Sequence, residues 1–268
     1  MKIFSRIYMT LIYILLYTPI IVLMLISFNK TATTSSFSGF SFHWYKELFS
    51  RSDVFDALKN TLIVATLSAA ISTIIGTAAA VGLCKMKNRR AKGLIDSVTN
   101  IPMMNPEIVT GISMMLLFVA VFSIFGDRMT LGMGTVLIAH ITFNLPYVIL
   151  NVSPKIRQLD RHLPEAALDL GCTPIQSFFK VELPNILSGV VSGFIMAFTL
   201  SLDDFVITYF VSGAEFQTLP ILIYNITKKP MKPDIYALFT LIIITIFTLL
   251  LISNVISARG ERKNVKRR

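Results

Sequence analysis

Charged residues are scarce in this chain of 268 residues. Asp, Glu, Lys and Arg together make up 15% of the sequence, hydrophobic residues make up 54%, and the mean hydropathy is +0.68. A typical soluble domain has roughly 25% charged residues. The scarcity of charge therefore excludes an ordinary soluble domain and indicates an integral membrane protein.

Cysteines are few, and phosphate-binding motifs are absent. The two cysteines, Cys84 and Cys172, both fall on the side of the membrane that is assigned below to the cytoplasm, where disulfides are rare. The sequence contains no Walker motif and no glycine-rich phosphate loop, so the chain is not expected to hydrolyse ATP itself. We expect no catalytic residues, no metal site and no cofactor.

Long apolar runs, by contrast, are abundant. Six low-charge stretches each approach the roughly 20 residues that span the hydrocarbon core of a bilayer. They lie at about 7–28, 61–84, 101–125, 132–152, 186–211 and 235–258. The first is longer than the apolar part of a signal peptide and lacks a small-residue cleavage site, so it should remain as a helix. The sequence therefore predicts an all-α protein whose residues 1–268 form one domain with six transmembrane helices.

The basic residues predict the orientation of these helices. Seventeen of the 25 Lys and Arg residues lie on the side of the N-terminus, most of them within 85–92, 155–161 and 259–268. Cytoplasmic loops of membrane proteins carry an excess of basic residues. We therefore expect both termini in the cytoplasm, and the net charge of +10 then reflects topology and attraction to anionic lipid, not nucleic-acid binding.

Residues 160–184 form a polar segment between the fourth and fifth apolar runs, on the predicted cytoplasmic side. Pro164 and Glu165 suit the first turn of a helix, where proline needs no hydrogen bond and a carboxylate complements the helix dipole. Gly171 can adopt the left-handed conformation that ends a helix. A short helix is therefore predicted from about Pro164 to Leu170.

A second helix is predicted in the other half of this segment. Thr173 and Gln176 have the spacing of a capping box, which starts a helix. We expect this helix to stop near Leu183, because Pro184 disfavours helix at the residue before it. Helical spacing gives it an apolar face and a charged one, formed by Ile175, Phe178, Phe179 and Glu182.

The residue pattern of this segment resembles the EAA loop of ABC importer permeases, the cytoplasmic loop that docks the membrane subunit onto its ATPase. Glu-Ala-Ala is followed by a glycine four residues after the second alanine, and then by Val-x-Leu-Pro ten residues after the glycine. The family has Ile where Val181 stands. The alternative is a helical hairpin that only connects two spans. The resemblance implies ATPase coupling by Glu165, Ala166, Ala167, Gly171, Val181, Leu183 and Pro184.

Acidic residues within the apolar runs are candidates for a substrate pathway, because charge inside a membrane is costly unless it faces protein or water. Asp203 and Asp204 are adjacent in the fifth run, so on a helix they point about 100° apart. At most one is therefore expected to face a pathway, while the other caps a neighbouring helix or lies toward a subunit interface. A buried hydrogen bond between helices, or a misplaced span that puts the pair at its outer edge, would explain them equally well.

Other polar residues in the apolar runs have simpler explanations. Glu107 follows Pro106 near the start of the third run, where capping a helix competes with a role in a pathway. His140, Thr142 and Asn144 in the fourth run favour hydrogen bonds between helices over substrate ligands.

Beyond the cytoplasmic segment, the resemblance covers nearly the whole chain. Trp-Tyr-x-x-Leu at 44–48, Pro-Glu-Ile-Val at 106–109, His-Ile-Thr-Phe-x-Leu-Pro at 140–146 and Phe-Thr-Leu-Ser-Leu-Asp-Asp-Phe at 198–205 look like the C-type permeases of spermidine/putrescine ABC importers. The resemblance implies a MetI-like permease fold in the bacterial cytoplasmic membrane and a chain that forms half of a polyamine pathway. It also implies three partners: a second homologous permease, a dimer of ABC ATPase subunits that bind the ATP, and an extracytoplasmic polyamine-binding protein.

Three other functions remain open at this point. Related permeases carry other small solutes on the same scaffold. A proton-coupled secondary transporter could use the intramembrane Asp, Glu and His residues, but it would have no use for a docking loop. A non-transporting membrane scaffold would explain the apolar runs and leave the acidic pair without a role. If the cargo is a polycation, Asp203, Asp204 and Glu107 are the candidates that would compensate its charge.

Overall fold

A computed structural model describes residues 2–31, 37–124, 130–160, 162–228, 234–245 and 247–248. Within these ranges the regular structure is helical, apart from one isolated antiparallel bridge between Asn29 and Phe40. Five of the helical stretches are long and apolar enough to cross a membrane. The prediction of an all-α membrane protein is therefore confirmed.

The helices of the described residues differ widely in length. In chain order they are α1 (Lys2–Ser27), α2 (His43–Phe49), α3 (Ser52–Lys85), α4 (Arg89–Met104), α5 (Glu107–Ile124), α6 (Met133–Gln158), α7 (His162–Asp169), α8 (Pro174–Ser177), α9 (Leu183–Asp203), α10 (Val206–Val211), α11 (Leu219–Thr227) and α12 (Asp234–Thr245). The first five predicted spans correspond to α1, α3, α5, α6 and α9. The sixth, 235–258, begins in α12, and its residues 246 and 249–258 lie outside the described residues.

Two spans have bounds that differ from those expected from hydropathy. The third begins at Glu107 instead of residue 101, because Asn105 adopts an extended conformation before Pro106 and ends α4. The fifth does not run unbroken to residue 211. It ends at Asp203, and α10 begins at Val206 after an interruption at Asp204 and Phe205.

The helix after the capping box was wrongly expected to end near Leu183. Instead, α8 passes through a π-helical turn, Phe178–Glu182, directly into α9. The Leu183 amide donates to the Phe178 carbonyl, five residues back. This wider turn precedes Pro184, which has no amide hydrogen and would clash with a regular preceding turn. The segment is thus continuous with the fifth membrane helix.

The chain divides into two compact units, residues 1–54 with 226–268, and residues 55–225. In the first unit, the segment after α1 folds back on the end of that helix. The Ser27 and Tyr45 hydroxyls are 2.8 Å apart, and the Trp44 indole donates to the Asn29 carbonyl at 2.7 Å. These bonds hold α2 beside the end of α1.

An arginine links two ends of the same unit. The Arg51 guanidinium donates to the buried Asp234 carboxylate at 2.7 Å and to Asp53 at 2.5 and 3.0 Å. The hydrogen bond to Asp53 is the main cause that raises the pKa of Arg51 above its usual value. The first residue of α12 is thereby paired with a permanent positive charge.

In the second unit, α6 and α9 approach closely through small residues. A Cβ atom at Gly189 would lie 2.7 Å from Cγ of Lys155, and one at Gly193 would lie 3.3 Å from Cγ1 of Val148. Ala197, four residues further on, is fully buried. Small residues at this spacing let membrane helices pack backbone against backbone. This packing places the end of α9 beside the polar face of α6.

Candidate functional site

The interruption between α9 and α10 lies at the acidic pair. The backbone of Asp204 is extended, and its side chain accepts from the amides of Ile207 at 3.3 Å and Thr208 at 2.8 Å. The amides at the start of a helix have no partner within the helix, so Asp204 caps α10. The second aspartate of the pair is therefore the residue that lets the chain stop one helix and start another inside an apolar stretch.

Asp204 also meets a histidine from α6. Its Oδ2 lies 3.3 Å from Nε2 of His140, and the Thr208 hydroxyl lies 2.8 Å from the same nitrogen. The side chains of His140 and Asp204 are 3% and 5% exposed. Nδ1 of His140 is hydrogen-bonded to the Ser201 hydroxyl, which is 2.7 Å from the Ser68 hydroxyl on α3. These five side chains join α3, α6, α9 and α10, and we call them the polar cluster.

The hydrogen bonds of the Thr208 hydroxyl indicate that Nε2 of His140 carries a hydrogen. The Thr208 hydroxyl has a single hydrogen, which it donates to Asp204 Oδ2 at 2.6 Å. Its oxygen must therefore accept from His140, so Nε2 carries a hydrogen. Carboxylate, imidazole and hydroxyl are thus mutually satisfied, as burial in a low-dielectric environment requires.

Asp203 has a different environment although it is the adjacent residue. It is the last residue of α9, and its side chain is exposed, whereas that of Asp204 is nearly fully buried. The expectation that one member of the pair would cap a neighbouring helix is confirmed for Asp204. The Asp203 carboxylate is therefore the solvent-accessible one of the pair.

The other polar residues noted in the sequence are separate from this cluster. Glu107 is exposed at the first position of α5, where it complements the helix dipole. Thr142 donates to the Ile138 carbonyl of its own helix at 2.9 Å. Asn144 is fully buried, and its amide has no hydrogen-bond partner in the described part of the chain. The prediction of hydrogen bonds between helices is therefore confirmed for His140 alone of the three residues on α6.

The polar segment between α6 and α9 forms a compact knob of α7, α8 and the π-helical turn. Gly171 has φ +86°, and the Cys172 amide donates to the Ala167 carbonyl at 3.0 Å, which closes the turn after α7. The Thr173 hydroxyl accepts from the Gln176 amide at 3.3 Å, and the Gln176 side chain accepts from the Thr173 amide at 3.1 Å. The glycine turn and the capping box predicted for residues 171–176 are both confirmed.

The surface of the knob carries apolar side chains. Ile175 and Phe179, which belong to the apolar face predicted from helical spacing, are exposed, and Leu170 is 87% exposed. Glu182, expected on the charged face, is buried and pairs with Lys85 at 2.7 Å. Exposed apolar side chains on a polar segment are typical of a protein interaction surface. Of the residues matched to the EAA pattern, Glu165, Ala166, Gly171 and Pro184 are exposed, Ala167 is buried, and Val181 and Leu183 are half-buried.

Several of these contacts were not found from the sequence. The partner of Asp204 is 64 positions away on another helix, and that of Glu182 is 97 positions away, so no local pattern pairs them. The small residues at 189, 193 and 197 carried a usable signal, namely their four-residue spacing in an apolar helix. Among the described residues, no group of three His, Cys, Asp or Glu side chains could hold a metal ion.

Comparison with known proteins connects this architecture to transport. Residues 72–263 match the model of the family described as "Binding-protein-dependent transport system inner membrane component". The chain is 38% identical over 251 residues to the putrescine transport system permease protein PotI of Escherichia coli strain K12, covering 94% of this chain and 89% of that protein. It is 35% identical over 254 residues to the spermidine/putrescine transport system permease protein PotC of Haemophilus influenzae, covering 95% and 96%.

Solved structures share the fold at lower sequence identity. A chain of a bacterial ABC transporter involved in the import of the acidic polysaccharide alginate has a TM-score of 0.71 and 16% identity, covering 96% of this chain and 95% of that one. A chain of the bacterial alginate transporter in complex with a pentasaccharide-bound periplasmic protein gives 0.68 and 16%, covering 93% and 92%. The expected permease fold is therefore confirmed.

The polar cluster makes a prediction about stability. Replacing His140 by Phe keeps a ring of similar size but leaves the buried Asp204 carboxylate without its imidazole partner. Removing one member of a buried pair is costly, so we expect the free energy of unfolding to fall by about 3 kcal/mol. The melting temperature of the detergent-purified protein should fall clearly as well. Thr142→Val, which removes a hydroxyl bonded only within α6, is the control and should be nearly neutral. Equal melting temperatures for His140→Phe and wild type would contradict the prediction.

Proposed function

Because the chain belongs to the family of binding-protein-dependent transport system inner membrane components, we propose that it forms half of the translocation pathway of an ATP-driven importer for polyamines. It is a multi-pass protein of the bacterial cytoplasmic membrane. The observation that carries the polyamine assignment is 35–38% identity, along at least 94% of the chain, to permeases named for putrescine and spermidine.

The geometry of the acidic pair supports a cationic cargo. A polyamine that leaves water for a low-dielectric region needs negative charge nearby, but a pathway must also release its cargo. Asp204 is occupied by His140, Thr208 and the amides of α10. Asp203, exposed at the end of α9, is free of that structural task and is the proposed pathway residue.

The knob supports docking to an ATPase. Its side chains Leu170, Ile175 and Phe179 are apolar and exposed, and Glu165 on α7 is exposed as well. Exposure of such a surface to water is unfavourable, and the free energy falls when a partner covers it. We assign this surface to an ABC ATPase subunit, with Glu165 at the rim of the contact.

A transport cycle follows from these assignments. Two ATPase subunits close on ATP, each pulls the knob of one of two homologous permeases, and the pair opens toward an external binding protein that releases its cargo. The external partner is supported by the family's description as binding-protein-dependent and by the alginate transporter, which was solved with its periplasmic protein. Continuity of the knob with α9 gives the pull a direct route to Asp203.

Uptake by the reconstituted complex tests the proposed function. Proteoliposomes that contain this chain, the second permease and the ATPase, supplied with the binding protein, should accumulate labelled spermidine or putrescine only with internal ATP. An unrelated solute such as maltose is the control. Uptake of another solute in place of polyamines would redirect the proposal, and polyamine uptake driven by a proton gradient without ATP would favour a secondary transporter.

The two aspartates should respond differently to loss of charge. Asp203→Asn removes charge with little change in volume, so it should slow the transport of spermidine more than that of the less charged putrescine, while leaving stability unchanged. Asp204→Asn is the matched control: it weakens the cap and the pairing with His140, and should lower the melting temperature and affect both polyamines alike. Unchanged rates for both polyamines in Asp203→Asn would remove this residue from the pathway.

The turn of the knob can be tested with two substitutions of one residue. Gly171→Val places a β-branched side chain in the left-handed region, where it is strained although the surrounding space is open. We expect it to weaken co-purification of the ATPase and to reduce uptake. Gly171→Asn, which tolerates positive φ, should retain most of both. Wild-type co-purification and uptake in Gly171→Val would show that the shape of this turn is not needed.

A further inference from the structure

A salt bridge connects the knob to a second membrane helix. Nζ of Lys85, the last residue of α3, lies 2.7 Å from Oε1 of Glu182 at the end of the π-helical turn. The Glu182 side chain is 5% exposed and that of Lys85 is 57% exposed. The lysine therefore reaches from the water-facing end of α3 to a carboxylate that is shielded from solvent.

Burial of Glu182 makes this pair different from an ion pair of two exposed side chains. An exposed pair contributes little, because water and salt compete with it. A shielded carboxylate has lost most of its hydration, and leaving it without a cation is strongly unfavourable. Movement of Glu182 away from Lys85 is therefore opposed, and the two residues should move together.

The knob is built so that movement of its outer helices reaches Glu182. The Ser177 hydroxyl donates to the Pro164 carbonyl at 3.3 Å, which ties α8 to α7. Both Ala167 and Ser177 are buried inside the knob. The π-helical turn follows Ser177 without interruption. A pull on α7 or α8 is thus transmitted through packed and hydrogen-bonded contacts to the residue that holds Lys85.

Space beside the pair allows such movement. A cavity of about 630 Å³ lies between the ends of α3 and α6 and the start of the knob, and Lys85 and Glu182 both line it, together with Arg157, Pro164 and Glu165. The ion pair bridges this junction at a place where the surrounding elements are not densely packed. A specific charged contact can hold two elements together there while they shift.

We propose that the pair of Lys85 and Glu182 is a positioning contact that carries the movement of the knob to α3, so that α3 and α9 respond together to the ATPase. The covalent chain already links the knob to α9. The ion pair adds the link to α3, which contributes Ser68 to the polar cluster. This inference rests on the proposed docking of the knob to an ATPase, and it assigns the two residues a role in coupling instead of docking or cargo binding.

The test measures polyamine uptake per ATP hydrolysed in the reconstituted complex. Lys85→Met and Glu182→Gln should leave ATPase co-purification intact but lower this ratio by about fivefold or more, the range of a typical coupling free energy. Lys85→Arg keeps the charge and should retain the ratio. Lys87→Met, which removes a lysine that lines the same cavity, is the matched control and should match wild type.

A double variant separates coupling from folding. Lys85→Met leaves a shielded carboxylate without a cation and can reduce the folded fraction, whereas Lys85→Met with Glu182→Gln removes both charges and avoids that penalty. The double variant should therefore fold like wild type and still be uncoupled. A wild-type ratio in the double variant would overturn the proposal, and so would a loss explained entirely by reduced ATPase co-purification.

An incorrect polyamine assignment and an incorrect role for the ion pair give different results. If the wild-type complex takes up neither polyamine, the polyamine assignment falls, and the inference is then measured by the stimulation of ATP hydrolysis when binding protein is added. Loss of that stimulation in Lys85→Met, and its retention in Lys85→Arg and Lys87→Met, would support the positioning contact. Equal stimulation in all variants and wild type would overturn it.

Discussion

Pairing of polar groups inside an apolar environment is the constraint on which this structure depends. A helix that stops within a membrane leaves amides and carbonyls without partners, and lipid offers none. Asp204 accepts hydrogen bonds from amides at the start of α10. Its buried carboxylate is in turn paired with His140 and Thr208, and His140 is hydrogen-bonded to Ser201, which bonds to Ser68. The interruption of the fifth span and the polar faces of α3 and α6 are therefore parts of one arrangement.

Close packing of α6 and α9 connects this arrangement to the knob. Gly189 and Gly193 allow α9 to lie against α6, and α9 is the direct continuation of the knob. A displacement of the knob would therefore be transmitted along the 21 residues of α9 to the polar cluster and to Asp203. Because packed helices and satisfied hydrogen bonds resist gradual deformation, such a displacement is expected to switch the helices between discrete arrangements.

Two adjacent aspartates show how the fold gives identical side chains different tasks. Asp204 lies where the chain turns, so its carboxylate is surrounded by amides, a hydroxyl and an imidazole. Asp203 is the last helical residue, and its side chain projects in another direction and stays exposed. Asp204 stabilises the junction between α9 and α10 and is paired there, so the adjacent Asp203 carboxylate stays accessible at the end of a membrane-length helix.

The sequence by itself determined what depends on local order and composition. The first five apolar runs became membrane-length helices, because hydropathy and length alone decide which segments can cross a bilayer. The turn at Gly171 and the capping box at Thr173 were predictable, since their partners lie within five residues. The residue patterns of residues 160–184 and 198–205 were sufficient to place the chain among ABC importer permeases.

Only the tertiary structure decided which distant groups meet. The helix continues from Ser177 through Leu183 because of a π-helical turn, which the rule that helices stop before proline does not predict. Asp204, at the junction of α9 and α10, is paired with a histidine from α6, and the buried Glu182 is paired with a lysine from α3. Local propensity is unable to specify such pairs, because the free energy that favours them arises only after the helices have packed and excluded solvent.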